Sequence, residues 1–140
     1  GTENVAAIVA MAVALKKNCD RMEETTQKLR KLSQIFIEAL TAVGIDYRLN
    51  GSSNHLPGNV NISIRGAEGE MLLHRMDLKG ICISTGSACD SVNTRFSHVI
   101  KAIHVPEEYA EGTIRVTFGA ENTEKEAVTI AEALIDILKK

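Results

Sequence analysis

Apolar residues recur along this chain at two spacings, and the switches between them outline its elements. Leu29, Leu32, Phe36, Leu40 and Val43 fall three and four apart, which lines up one stripe of a helix, and Gly44 is a suitable stop for it. Residues 46–51 and 59–64 read instead as strands, separated by the turn-forming stretch Ser-Ser-Asn-His-Leu-Pro-Gly. A short helix is expected over 68–80, closed by Gly80, followed by a short buried strand over 81–84 that encloses Cys82. Phe96, Val99, Ile100 and Ile103 mark the next helix, which begins near Thr94. Residues 112–119 alternate, with Ile114, Val116 and Phe118 on one face and Thr113, Arg115 and Thr117 on the other. The last helix opens with Thr123 and Glu126 as a capping box and is expected to bury Ala127, Ile130, Ala131, Leu134 and Leu138.

The beginning of the chain fits neither spacing. Residues 5–15 are apolar on more than one side, so a buried helix with neighbours on most sides is expected, N-capped by Thr2. The polar stretch after it is either a break or the middle of one long helix. The resulting order, α-β-β-α-β-α-β-α, predicts an α+β fold: a small antiparallel or mixed sheet covered by helices. At 140 residues, one domain with a single core is expected.

Composition narrows the range of partners. A net charge of −2 gives no reason to expect a polyanion or a membrane surface, and an aromatic content of 4% without Trp disfavours a base-stacking nucleic-acid surface. The apolar run at 5–15 is too short to cross a bilayer. Three cysteines, Cys19, Cys82 and Cys89, with no Cys-x-x-Cys pair, argue against a disulfide framework and fit a reducing cytoplasm. The four histidines lack metal-ligand spacing, so no metal site is expected, and His55 reads as a local hydrogen-bonding group.

Cys89 stands apart from the other two thiols. It follows Ser-Thr-Gly-Ser-Ala, a run that leaves the sulfur accessible, whereas Cys82 sits among isoleucines. Only the thiolate attacks, and the adjacent Asp90 opposes ionisation. Local context leaves open both a reactive nucleophile and an incidental loop thiol. A thiol that is accessible but not primed would suit a substrate already activated by something else.

The segment Ser-Thr-Gly-Ser-Ala-Cys-Asp-Ser at 84–91 resembles the active-site loop of the cysteine desulfurases of the NifS/IscS type, whose motif is S-[S/T]-G-S-A-C. Further motifs follow in that family's order: GTENV at 1–5, HLPGNVNIS at 55–63, EGEMLL at 68–73 and GTIRVTFGAENTEKE at 112–126. The resemblance implies the C-terminal small domain of a pyridoxal-phosphate enzyme with the aspartate-aminotransferase fold. In such an enzyme L-cysteine becomes L-alanine, and the sulfur passes through a persulfide to an acceptor such as an iron–sulfur scaffold protein. It further implies that Cys89 forms the persulfide and that Arg115 grips the substrate α-carboxylate. Thr2 would reach the cofactor phosphate of the opposite subunit in a homodimer.

The family's Schiff-base lysine follows a histidine, and no His-Lys pair occurs here. The expectation is therefore an isolated domain, inactive alone, whose residues 1–20 form a linking helix that packs on a large domain. Two other readings remain: a non-catalytic domain that docks a sulfur acceptor, and a stand-alone redox thiol protein.

Overall fold

The computed structural model describes residues 1–85 and 97–139. Two helices that almost abut open the chain: α1, Val5–Asp20, and α2, Met22–Ala42, separated by Arg21 with φ −108°. The polar stretch is thus a single-residue break. There follow β1 (Tyr47–Leu49), β2 (Asn59–Ile64), α3 (Gly69–Asp77), β3 (Ser84–Thr85), α4 (His98–Ala102), α5 (Glu107–Ala110), β4 (Thr113–Thr117) and α6 (Glu124–Leu138). The fold is α+β, as the periodicity predicts.

The four strands lie in the order β1-β2-β4-β3, every pair antiparallel. Val60 faces Val116 and Ile62 faces Ile114, so the apolar positions of the central strands share one side of the sheet. Leu32, Phe36 and Leu40 of α2, Leu72 and Met76 of α3, and Ala127, Ala131 and Leu134 of α6 close over that side to form the main core. Within it the Phe36 and Phe118 rings meet edge-on with centroids 6.2 Å apart. A smaller cluster gathers Ile100, Val105 and Ala110. Gly112 allows β4 to approach β2, since a Cβ there would lie 2.1 Å from the Ile64 carbonyl oxygen.

Several expectations need correction. Thr2 is not the N-cap of α1: Asn4 is, its side chain accepting from the Ala7 N–H at 3.1 Å, because it stands directly before the first helical turn. The first helix is not buried, since none of its residues is, and Val5, Ile8, Val9, Met11, Val13 and Leu15 all lie exposed. The strand expected at 81–84 shrinks to Ser84–Thr85, and Cys82 is exposed. In this extended stretch alternate residues point oppositely, so Ile81 and Ile83 pack on the core and turn Cys82 outward. Val99 and Ile103 are exposed on α4, where only Ile100 is buried, and Phe96 lies outside the described residues. Helix α5 was not foreseen: four residues are too few to show a period.

Candidate active site

The face of the sheet away from the helices is polar. It carries Asn59, Asn61 and Ser63 from β2 and Thr113, Arg115 and Thr117 from β4, paired directly across the ladder. Asn61 stands opposite Arg115 on one side, and Ser84 of β3 stands opposite it on the other. Arg115 is thus held on a central strand between two short polar neighbours. Its side chain is exposed, and no carboxylate among the described residues pairs with it.

A hydrogen-bonded chain ties this face together. Asn50 donates to Asn61 Oδ1 and to Ser63 Oγ, both at 2.7 Å. Ser63 Oγ lies 2.7 Å from Thr113 Oγ1, which donates to the Ala110 carbonyl at 2.8 Å. A carbonyl only accepts, so the Thr113 proton goes to Ala110 and Ser63 donates to Thr113. Ser63 and Thr113 are buried on this face, and the bonds they make to each other, to Asn50 and to Ala110 make that burial tolerable. Asn50 Oδ1 and Asn59 Oδ1 are also buried, with no partner among the described residues.

The three residues singled out for chemistry fare differently. Arg115 sits at the centre of the polar face. Cys89 lies outside the described residues; the last described residue before it, Thr85, pairs with Ile114 beside Arg115. Thr2 is exposed near the start of α1, about 24 Å along the helix from the junction with α2. No described contact joins Thr2 to the polar face. His55 makes the expected local bond, its Nδ1 lying 2.9 Å from the Ser52 carbonyl. Ser63 and the Asn50 amide were missed as supports of the site, because nothing in the sequence tells a buried strand serine from an exposed one.

Each lysine of the described residues lies on a helix or a connection, and none on a strand of the sheet. The polar face therefore offers a cation for a carboxylate but no amine for a Schiff base, so a pyridoxal phosphate bound through lysine does not fit this donor set alone. Among the described residues no group of three His, Cys, Asp or Glu could hold a metal ion, and no helix is long and apolar enough to cross a membrane.

The fold, a helix-covered antiparallel sheet with Arg115 on its polar face, is similar to solved NifS-like proteins. A NifS-like protein from Rickettsia africae superimposes with a TM-score of 0.82 at 28% identity, over 100% of this chain and 36% of that one. The profile of the class-V aminotransferases matches residues 1–129, and the chain belongs to that family. It is 40% identical to the cysteine desulfurase IscS of Dictyoglomus turgidum, over 100% of this chain and 36% of that protein. To the IscS of Clostridium botulinum it is 41% identical, over 99% of this chain and 36% of that protein. The chain thus spans little more than a third of the length of the curated relatives it matches.

Proposed function

We propose that this chain serves as the C-terminal domain of a cysteine desulfurase, in which Arg115 holds the substrate α-carboxylate and Cys89 receives the sulfur. The observation that carries the reading is the β3–β4 register, Ser84 opposite Arg115. Cys89 follows Ser84 by five residues, so chain length alone keeps its Cα within roughly 18 Å of the Ser84 Cα. A thiol on that tether is in range of a substrate anchored at Arg115.

The roles follow from the chemistry of each group. The planar guanidinium of Arg115, unpaired among the described residues, offers two parallel N–H donors to a carboxylate. Pyridoxal phosphate, when bound, supplies the electron sink that opens the substrate sulfur to attack. The Cys89 thiolate forms an S–S bond to that sulfur as the substrate C–S bond breaks, and the carbon skeleton takes up a proton and leaves as L-alanine. The persulfide is then passed to a thiol of an acceptor or iron–sulfur scaffold protein in a reducing cytoplasm.

The uncovered apolar side chains of α1 support a second part of the reading. Residues 1–20 act as a linking helix that packs on a large domain, which also supplies the Schiff-base lysine. In a homodimer, Thr2, whose hydroxyl has no partner among the described residues, would reach the cofactor phosphate of the opposite subunit.

The test uses the whole protein that carries this segment, loaded with cofactor. Cys89→Ser should abolish sulfide release and alanine formation from cysteine while leaving the cofactor absorbance band in place. Arg115→Lys should raise KM for cysteine roughly tenfold or more through loss of the bidentate grip. Full turnover by Cys89→Ser, or an unchanged KM in Arg115→Lys, would refute the assignment.

A further inference from the structure

On the helix-covered face of the sheet, α2 reaches β1 at the Tyr47 end, where Thr41 Oγ1 lies 2.7 Å from the Tyr47 hydroxyl, and leaves the Leu49 end uncovered. Leu49 of β1 pairs with Ile62 and shares its face, yet remains 50% exposed. Between Leu49 and α2 opens a cleft of about 290 Å³, walled by Arg30, Ser33 and Ile37 of α2, His55 and Pro57 of the 50–58 connection, and Val60 of β2. Arg30, Ser33 and Ile37 follow helical spacing and form a stripe beside the one that enters the core. The loop wall is fixed in place: the Phe118 N–H donates to the Gly58 carbonyl at 2.8 Å, and Gly58 lies so close that a Cβ would stand 2.9 Å from the Phe118 oxygen.

Three polar groups at this cleft have bonding capacity not used by the described residues. Ser33 Oγ is buried with no hydrogen-bond partner among the described residues. Arg30 makes no ion pair among the described residues. His55 Nδ1 faces the Ser52 carbonyl at 2.9 Å, so that nitrogen carries the proton and Nε2 is left over. Among the described residues no Asp or Glu lines the cleft, and the Gln34 amide nitrogen donates to Glu38 at 2.7 Å. The floor, by contrast, is apolar: Ile37, Leu49 and Val60.

We propose that this cleft binds a small carboxylate with a short apolar stem, the stem on Ile37, Leu49 and Val60 and the carboxylate between the Arg30 guanidinium and the Ser33 hydroxyl. A guanidinium fork matches a carboxylate, and a buried hydroxyl without a partner gains the acceptor it lacks. The volume lies at the small end of ligand pockets, roughly 300 Å³ upward, which limits the occupant to a short free acid or the last residue of a peptide. The site lies across the sheet from Arg115 and is independent of the desulfurase reading.

The experiment is an amide NMR titration of the 15N-labelled chain with hexanoate and, separately, with hexan-1-ol. Hexanoate should shift the amides of Ser33, Ile37 and Leu49 and bind at least about fivefold tighter than the alcohol. Arg30→Gln, a change at an exposed helix position, should remove that ratio and leave alcohol binding unchanged. Ser33→Ala should weaken hexanoate binding without altering the dispersion of the spectrum. A short peptide ending in Leu, compared free and amidated, separates the sources. Tighter binding of the free-acid peptide than of hexanoate assigns a peptide terminus, and no gain over hexanoate assigns a free acid. Equal affinity for acid and alcohol, shifts confined to α1, or no shifts at all would overturn the proposal.

Discussion

Ser63 Oγ and Thr113 Oγ1 lie 2.7 Å apart inside the sheet, 50 residues apart in the chain. Each is buried, and with Asn50 donating to Ser63 and Thr113 donating to Ala110, the Ser63 proton has Thr113 as its acceptor. Thr113→Val should destabilise the chain by about 1–3 kcal/mol, because it strips Ser63 of its acceptor and leaves the Ala110 carbonyl without its donor. Ser63→Ala combined with Thr113→Val should cost less than the sum of the two single changes. Urea unfolding of the three variants measures this; strict additivity would show that the hydroxyls do not act as a pair.

Gly112 is required by space rather than by backbone conformation. Ala at this position would bring a Cβ within 2.1 Å of the Ile64 oxygen, a backbone atom that cannot turn aside. Gly112→Ala should therefore cost at least about 1–3 kcal/mol by forcing β2 and β4 apart. Thermal unfolding reads the loss, and a midpoint equal to the parent's would contradict the close approach.

The capping box of α6 predicts a pH dependence. The Thr123 backbone N–H bonds Glu126 Oε2 at 2.7 Å, and the Thr123 hydroxyl bonds it at 3.0 Å. These bonds, with help from Asn122, hold the Glu126 carboxyl below its ordinary value of 4.5. A carboxyl whose folded value is depressed contributes its stabilisation in full above the unfolded value and loses it as pH falls through the folded one. Between neutral pH and about pH 3, the parent chain should lose more stability than Glu126→Gln, so that the gap between them narrows in acid. A gap independent of pH would mean that the ionised box contributes nothing. Thr123→Ala should cost about 0.5–2 kcal/mol at neutral pH, the usual cost of losing an N-cap.

With no lysine among the described residues of the polar face of the sheet, the chain of 140 residues alone should bind pyridoxal phosphate weakly and release no sulfide from cysteine. Absorbance titration with the cofactor, together with alanine detection, measures both. A lysine-linked absorbance band with cysteine-dependent alanine would overturn the expectation.

Sequence alone determined every element whose burial repeats over several turns or alternates along a strand. Of the stripe expected from Leu29 to Val43, Leu32, Phe36 and Leu40 are buried while Val43, past the end of α2, is exposed. The 59–64 strand, the alternation around Arg115 and the Thr123–Glu126 cap stand as the pattern predicts, because side chains three, four or two apart share a face. The exposed position of Arg115 on an alternating strand was legible in the pattern, whereas its proposed role rests on the resemblance of its motif. Tertiary structure decided what depends on neighbours distant in the chain. It turned Cys82 outward between two packed isoleucines, left α1 without a single buried residue and handed the cap of that helix to Asn4. It also buried Ser63 and Thr113 and opened the cleft beside Leu49. Burial is settled by whatever packs across from a residue, and no local period records which element that will be.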